Sequence, residues 1–277
     1  MTRAQALSWA VDRFINNPTA RLDAEVLLAH SLRRNKTELY ARPDWPMTWR
    51  EWFQFKKLVY RRRQFVPVAY LTGHKEFFEL DLRVSPAVLI PRPATEAIVH
   101  HALELIQRQN IKKVCDVGTG SGAIAIAIAK SALEVKIIAT DISSAALKVA
   151  QRNAAAHQVS DRVEFIRQDL LPTGISDSLI IANLPYLPNG FSGAADLDYE
   201  PGVALWGRSD DGLELYRRLF DRLDNGQAVI ELGPNQFAQF SDWLQRKFNG
   251  RVHVEPVLDA DKTICGLTAA ILPARPE

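Results

Sequence analysis

The chain has 277 residues, 47% hydrophobic and 24% charged, which is the balance of a globular protein with one large domain or a medium and a small one. No apolar run approaches the roughly 18 residues that a membrane span needs. Asp12 and Arg13 interrupt the N-terminal stretch where a signal peptide would be apolar. Cys115 and Cys265 lie in apolar, strand-like runs, and we interpret them as buried reduced thiols. We therefore expect a cytoplasmic protein without a membrane partner.

Charge divides the chain into two parts. Residues 1–75 hold 14 Lys or Arg and 6 Asp or Glu, a net charge of +8, whereas residues 76–277 have a net charge of −6. This asymmetry predicts two units with different partners. A basic unit favours an acidic or nucleic-acid partner, although a merely solvated basic helix face has the same composition.

Residues 1–65 are predicted to form a small helical bundle. Apolar periodicity indicates helices over 2–16, 21–34 and about 48–65. The apolar side of the second helix is predicted to comprise Leu22, Val26, Leu27, Ala29 and His30. Asp23 and Glu25 are expected to face solvent. The apolar side of the third helix is predicted to comprise Trp49, Trp52, Phe53, Phe55 and Val59.

Residues 66–93 are predicted to be a linker that contains a β-hairpin. Val66–Gly73 has no clear periodicity, and Phe77–Val84 then alternates apolar and polar side chains as a hairpin does. A helix over Ala94–Gln109 follows, opened by Thr95 and Glu96.

The rest of the chain alternates strands and helices. The predicted strands are Lys113–Val117, Lys136–Asp141, Val163–Gln168, Ser178–Ala182, Ala228–Leu232, Val252–Val257 and Thr263–Ile271. Helical stretches separate most of them, so we expect an α/β fold with a parallel sheet covered by helices on both faces. The last two strands are joined by Asp259–Asp261 and are predicted to form a hairpin, which ends the sheet with an antiparallel strand.

A glycine-rich loop follows the first of these strands and precedes a helix. It consists of Gly118, Thr119, Gly120, Ser121 and Gly122. A strand, a glycine loop and a helix place a nucleotide-like ligand at the helix N-terminus. The spacing is G-x-G-x-G, not the G-x-G-x-x-G that suits a pyrophosphate.

Aspartates stand beside three consecutive predicted strand ends. Asp141 is placed to accept ribose hydroxyls, Asp169 to accept from an adenine amino group, and Asp116 to meet an ammonium group directly or through water. Each one by itself is also compatible with an ordinary loop residue. Three carboxylates and a loop without Lys or Arg suit S-adenosylmethionine, which carries an ammonium and a sulfonium, better than they suit NAD.

Asn183, Leu184, Pro185 and Tyr186 end the fourth predicted strand. Class I methyltransferases that act on planar nitrogens carry [DNS]-[PIL]-P-[YFW] at this place. The Asn183 side-chain oxygen and the Leu184 carbonyl can accept the two N–H groups of a delocalised nitrogen. Pro185 biases Leu184 toward an extended backbone, and Tyr186 offers a flat face to the acceptor.

The chain resembles the protein-glutamine N-methyltransferases of the HemK/PrmC type, which modify translation release factors. The segments that carry the resemblance are Arg21–His30, Pro67–Gly73, Glu76–Phe78, Leu89–Pro93, Asp116–Ala125, Glu200–Pro201, Ala204–Leu205, Asp211–Leu213, Tyr216–Arg217, Glu231–Gly233 and Gln236. Leu184 stands where the family usually has proline, and Ala94 stands where it usually has an acidic residue.

The resemblance implies a class I (Rossmann-like) S-adenosylmethionine-dependent methyltransferase domain over 94–277, behind a substrate-binding helical domain over 1–65 and the linker 66–93. It implies that Asn183 and the Leu184 carbonyl hold the glutamine amide of a Gly-Gly-Gln sequence. It further implies that the glycine loop, Asp141 and Asp169 with Leu170 hold the cofactor, which Asn183 also borders. Peptide chain release factors are the expected partners, ribosome association is left open, and no metal is expected.

Two other activities fit the tetrapeptide. Ribosomal RNA adenine dimethyltransferases also carry Asn-Leu-Pro-Tyr, and a basic bundle suits RNA. Those enzymes, however, have their accessory helical domain at the C-terminus, and they lack the pattern from Glu200 to Arg217. A ribosomal protein is the other alternative acceptor. A cofactor-binding scaffold without activity is disfavoured by the intact tetrapeptide.

Overall fold

The computed structural model describes residues 1–173, 175 and 177–274. The chain folds into two compact units, one formed by Met1–His74 with Ala194–Tyr199 and the other by Lys75–Gly193 with Glu200–Glu277. The last three residues of the predicted segment 94–277 lie outside the described residues.

The first unit is helical. Its helices are α1 (Arg3–Val11), α2 (Ala20–Leu32), α3 (Lys36–Ala41), α4 (Trp49–Arg63) and α5 (Val68–Thr72). Thr2 and Thr48 begin α1 and α4 with capping boxes, in which the threonine side chain accepts from the third helical residue and that residue's side chain accepts in return. The three predicted helices are therefore present but shorter than expected. Helix α3 was not predicted, and α5 lies within the predicted linker.

The prediction that Asp23 and Glu25 face solvent is wrong. Both are buried, at 7% exposure each. Asp23 accepts a hydrogen bond from Arg62 Nε at 2.7 Å, and Glu25 pairs with Arg21 at 2.5 Å. Buried carboxylates are stable where such donors compensate their lost hydration. Arg62 comes from α4, so the partner that buries Asp23 is distant in sequence.

The apolar faces of α2 and α4 are narrower than predicted. Four residues assigned to them are exposed, namely Leu22, His30, Trp49 and Phe53. Phe55 and Val59 of α4 are fully buried with Leu27 and Leu28 of α2. The exposed half of α4 consequently carries aromatic as well as basic side chains.

A β-hairpin follows, formed by β1 (His74–Phe77) and β2 (Leu80–Arg83). Its turn residues Phe78 and Glu79 have φ of 50° and 61°, as the tight turn of a two-residue hairpin loop requires at both central positions. The hairpin was predicted over Phe77–Val84, and the two strands found in this part of the chain begin three residues earlier.

The remaining elements build a seven-stranded sheet with helices. They are α6 (Pro93–Gln109), β3 (Lys113–Val117), α7 (Ala123–Ser131), β4 (Lys136–Asp141), α8 (Ser144–Ala156), β5 (Val163–Arg167), β6 (Leu179–Ala182), α9 (Glu214–Phe220), β7 (Gly226–Glu231), α10 (Gln236–Lys247), β8 (Val252–Leu258) and β9 (Ile264–Ile271). Within the described residues the strand order is β5-β4-β3-β6-β7-β9-β8, and β9 is antiparallel to β7 and β8. The predicted α/β class and terminal hairpin are confirmed.

The strand order reverses between β3 and β6. Val117, the last residue of β3, is paired in parallel register with Ala182, the last residue of β6. Open α/β sheets bind ligands at such a switch point, beyond the carboxyl ends of the strands. The fold therefore brings the glycine loop after β3 beside the tetrapeptide after β6.

Candidate active site

The backbone of the glycine loop has positive φ angles, which residues with a Cβ atom adopt only with strain. Gly118, Gly120 and Gly122 have φ of 77°, 56° and 83°. A Cβ on Gly118 would lie 2.9 Å from Leu184 Cδ2, and one on Gly122 would lie 2.9 Å from Ile126 Cδ1. Glycine at these two positions therefore satisfies both the left-handed backbone and the close packing.

Asp116 lies beneath this loop and is fully buried. Its Oδ2 accepts from Thr119 Oγ1 at 2.6 Å and from the Ala125 backbone N–H at 3.2 Å. Burial raises the pKa of Asp116 to about 7, and these two hydrogen bonds oppose the rise. Oδ1 has no hydrogen-bond partner among the residues that the structure describes. Asp116 thus holds the loop to the start of α7, and its contact with a ligand ammonium stays a prediction.

Asp141 ends β4 and connects the loop to the next helix. Oδ2 accepts from the Gly120 N–H at 2.9 Å, and Oδ1 accepts from the Ser143 N–H at 2.8 Å. Burial raises its pKa, and these two N–H groups lower it. Each carboxylate oxygen has a further lone pair, so Asp141 can still accept from hydroxyl groups of a ligand.

Asp169 and Leu170 follow β5. Asp169 Oδ2 pairs with Arg218 Nη2 at 2.5 Å, and no bond to Oδ1 is found within the described part of the chain. Leu170 has a φ of 63°, an uncommon backbone for a bulky residue, and its carbonyl accepts from Thr140 Oγ1 at 3.0 Å. A strained residue that the surrounding structure holds in place is typical of a ligand site.

One cleft collects most of the predicted residues. Those that line it are Gly118, Thr119, Gly120, Ser121, Asp141, Asp169, Leu170, Asn183, Leu184 and Pro185. Asp116, Gly122 and Tyr186 do not line it. The walls are completed mainly by apolar side chains such as Val88, Ile124 and Leu215. Among the described lining residues Arg208 is the cationic one, and it is exposed.

The side-chain amide of Asn183 is held in one orientation. Its Nδ2 donates to Thr95 Oγ1 at 3.0 Å and to Glu231 Oε2 at 2.9 Å. An ionised carboxylate only accepts, so the nitrogen must face Glu231 and the oxygen must face away from it. Oδ1 of Asn183 accepts no hydrogen bond within the described part of the chain. It is therefore the free acceptor of a residue that lines the cleft.

Glu231, at the end of β7, also binds Tyr186. Oε1 accepts from the Tyr186 hydroxyl at 3.2 Å, and Oε2 accepts from Thr95 Oγ1 at 2.5 Å. Burial raises the pKa of Glu231 to about 7, against the hydrogen bonds of Thr95, Tyr186 and Asn183. The same carboxylate and burial raise the pKa of Tyr186, which therefore stays protonated.

Leu184 is held through its backbone. Its N–H donates to the Tyr216 hydroxyl at 3.0 Å, and that hydroxyl donates to the Glu231 carbonyl at 2.5 Å. The Leu184 carbonyl lies 3.3 Å from the same hydroxyl. Because Tyr216 has one hydroxyl hydrogen and the Glu231 carbonyl is nearer, the Leu184 carbonyl remains available to accept.

Three residues of this network had no predicted role at the site. Thr95 was interpreted as a helix opener, while Glu231 and Tyr216 were only parts of the family pattern. Thr95 and Glu231 are 136 positions apart in sequence. For Glu231 the sequence offered one indication of a role at the site. It ends a strand, and the neighbouring strand is followed by Asn183.

The described residues contain neither a candidate metal site nor a candidate membrane span. No group of three or more His, Cys, Asp or Glu side chains in this part of the chain is placed to hold a metal ion. No helix found there is long and apolar enough to cross a membrane.

Solved structures share this fold. The hMettl16 catalytic domain in complex with the MAT2A 3'UTR hairpin 6 superposes with a TM-score of 0.56 at 17% identity, over 71% of this chain and 79% of that chain. The human methyltransferase 10 domain containing protein matches with a TM-score of 0.50 at 17% identity, over 70% and 90% of the two chains. With the glycine loop and the tetrapeptide at the switch point, the fold defines a class I methyltransferase.

Sequence relatives narrow the class to a family. The PrmC N-terminal domain family matches residues 5–73, and the ribosomal protein L11 methyltransferase (PrmA) family matches residues 92–185. The release factor glutamine methyltransferase of Rhodopirellula baltica is 38% identical over 93% of this chain and 92% of its own. That of Koribacter versatilis is 38% identical over 84% and 87%. The chain belongs to the release factor glutamine methyltransferase family.

Proposed function

We propose that this enzyme transfers the methyl group of S-adenosylmethionine to the side-chain amide nitrogen of the glutamine in the Gly-Gly-Gln sequence of peptide chain release factors. The observation that carries the proposal is the fixed amide of Asn183. Its nitrogen is bound to Thr95 and Glu231, so its oxygen is left as an acceptor beside the glycine loop. The names of the relatives support the same acceptor.

The cleft fits S-adenosylmethionine. Asp141 would accept the ribose hydroxyls, Asp169 with Leu170 would contact the adenine, and the loop from Gly118 to Gly122 would border the methionine part. Asp116, whose Oδ1 has no hydrogen-bond partner among the described residues, would add negative charge under the loop when ionised, which favours a cationic ligand over a phosphate. The bound cofactor supplies an electrophilic methyl group on a sulfonium.

Asn183 and Leu184 would orient the acceptor. The Asn183 Oδ1 atom and the Leu184 carbonyl can each accept one N–H of a primary amide, which turns its nitrogen lone pair toward the methyl group. Such fixed acceptors act by positioning, so no general base has to touch the nitrogen. The nitrogen forms its bond to the methyl carbon as the carbon–sulfur bond breaks, and one amide proton is then lost to water.

The shape of the slot would come from Pro185 and Tyr186. The Tyr186 ring packs closely on Gly233, where an added Cβ would lie 3.0 Å from Tyr186 Cδ2. Its backbone carbonyl accepts from Gln236 Nε2 at 2.9 Å. These contacts hold both the side chain and the backbone of Tyr186 in place. A residue that shapes a narrow acceptor slot has to be held in this way.

We assign the grip on the protein substrate to the helical segment 1–65, with 66–93 as linker and 94–277 as the methyltransferase domain. The exposed half of α4 supports this role because it presents Trp49 and Phe53 together with Lys57 and Arg61. Exposed aromatic residues among cations suit docking to an acidic protein surface. The proposal includes no membrane partner and no metal.

A competition experiment tests the acceptor. The enzyme is incubated with methyl-labelled S-adenosylmethionine and an equimolar mixture of release factor, ribosomal RNA and ribosomal proteins. We expect the label on release factor alone. Label on RNA adenine would replace the proposal with the adenine alternative, and label on a ribosomal protein would keep the chemistry but change the substrate.

A further inference from the structure

Glu231 is the centre of the hydrogen bonds that hold the tetrapeptide. Its side chain is 1% exposed and accepts from Asn183, Thr95 and Tyr186. Its backbone carbonyl accepts from Tyr216, which in turn holds the Leu184 N–H. One residue at the end of β7 is thus connected to three of the four tetrapeptide residues that follow β6.

Resting on the proposed function, we propose that Glu231 is a positioning residue whose ionised carboxylate sets the orientation of the Asn183 amide and so presents Oδ1 to the substrate. Glu231 does not touch the substrate in this account. It acts because an ionised carboxylate offers only acceptors, so Asn183 must turn its nitrogen toward it. Thr95, the other described partner of this amide, does not force the choice by itself, because its hydroxyl can donate as well as accept.

The protonation state of Glu231 decides whether the arrangement holds. Three side chains donate to its two oxygens. Oε2 accepts from the Asn183 Nδ2 group, and a proton there would place a donor against a donor. The Thr95 and Tyr186 hydroxyls can turn and accept, whereas Asn183 relieves the conflict only by turning its oxygen inward. The acceptor for the glutamine amide would then be lost, while the cofactor cleft would remain intact.

The groups around Glu231 place this transition near neutral pH. Burial raises its pKa to about 7, and the positive charge of Arg92 lowers it. Tyr186 and Tyr216 face it with pKa values raised above the ordinary range, and Cys265 with a pKa raised to about 11, so all three are neutral at this pH. Glu231 is thus the group of this cluster that changes charge there. Turnover should fall as the pH drops through about 7, where Glu231 becomes protonated.

The test measures turnover, cofactor affinity and pH dependence of the full-length enzyme with Glu231→Gln. Glutamine keeps the shape but replaces one acceptor with a donor. We expect turnover to fall by about a hundredfold, the effect of a small misplacement at the reacting centre. The dissociation constant for S-adenosylmethionine should stay within about twofold of the wild-type value, since Glu231 is outside the cleft lining. The acid limb near pH 7 should disappear from turnover measured at saturating S-adenosylmethionine, because ionisation of Asp116, whose pKa is also about 7, is expected to act on cofactor affinity instead.

The matched control is Glu255→Gln, an exposed carboxylate on β8 of the same sheet. It should leave turnover and the pH profile unchanged. Wild-type turnover with an unchanged acid limb in Glu231→Gln would overturn the proposal. So would a parallel loss of turnover and cofactor affinity, because that result indicates a general structural role.

A second variant decides the case in which Glu231→Gln fails to fold. Thr95→Val removes the hydroxyl that binds both Glu231 and Asn183 but leaves their direct hydrogen bond. We expect a smaller loss of turnover and a shifted acid limb, both measured at saturating S-adenosylmethionine because Thr95 itself lines the cleft. Wild-type turnover and profile in this variant would contradict the inference. All variants are assayed with the acceptor that the wild-type enzyme methylates. If that acceptor is not release factor, the proposed function fails, but the role of Glu231 can still be tested.

Discussion

Leu184 packs directly against Gly118, so closely that a Cβ on the glycine would lie 2.9 Å from Leu184 Cδ2. Gly118 belongs to the loop assigned to the cofactor, and Leu184 belongs to the tetrapeptide assigned to the acceptor. The contact follows from the register of β3 and β6, which ends both strands at the same level. The proposed cofactor site and the proposed acceptor site are therefore in direct contact.

Gly118→Ala should reduce both stability and cofactor affinity. The left-handed backbone of Gly118 costs an alanine about 1–2 kcal/mol, and the new methyl group would displace Leu184. Gly250→Ala is the matched control, because Gly250 has a φ of 75° and open space around its Cβ position. Thermal unfolding should show a loss in both variants, whereas calorimetry should show weaker S-adenosylmethionine binding only for Gly118→Ala. Equal affinities would mean that this part of the loop does not border the ligand.

Leu184→Pro should preserve turnover at a cost in stability. The substitution restores the usual family residue and keeps the carbonyl at this position, but it removes the N–H that donates to Tyr216. A lost buried hydrogen bond of this kind costs about 1 kcal/mol. Chemical denaturation and steady-state kinetics measure the two effects. A large loss of turnover in a folded variant would show that the leucine side chain or its N–H takes part in positioning.

Reversing the charge of α4 tests the substrate-binding role of the helical segment. Lys57→Glu with Arg61→Glu should raise KM for release factor, because the electrostatic attraction to an acidic surface becomes repulsion. Cofactor affinity should not change. The control is Lys148→Glu with Arg152→Glu on α8, which makes the same change of charge on another exposed helix. An unchanged KM in the α4 variant, or an equal rise in both, would contradict specific docking through α4.

The sequence predicted the centre of the sheet well because β3, β6 and β7 are buried on both faces over most of their length. The bounds of β3 and β4 agree residue for residue with the predicted runs, since short Val- and Ile-rich segments ended by Gly118 and Asp141 have few other interpretations. The glycine loop and the tetrapeptide then meet because parallel strands share one end. This much of the site follows from local patterns alone.

The helical segment and the hydrogen bonds beneath the site were harder to predict. Asp23 resembles a solvent-facing residue until Arg62, on another helix, is placed against it. The local sign at Glu231 is its place near a strand end, and that place does not indicate that Thr95 and Asn183 both bind its side chain. Polar residues buried by distant partners do not follow apolar periodicity, so sequence patterns alone do not find them.

The most direct test of the central claim is tandem mass spectrometry of release factor after reaction with the wild-type enzyme and with Asn183→Ala. The wild type should give one methyl group on the side-chain nitrogen of the Gly-Gly-Gln glutamine, and none on a Gly-Gly-Ala release factor. Asn183→Ala should bind S-adenosylmethionine normally but lose at least about a hundredfold in turnover, as for one preorganised transition-state contact. A methyl group elsewhere, or near-normal turnover without Asn183, would contradict the account.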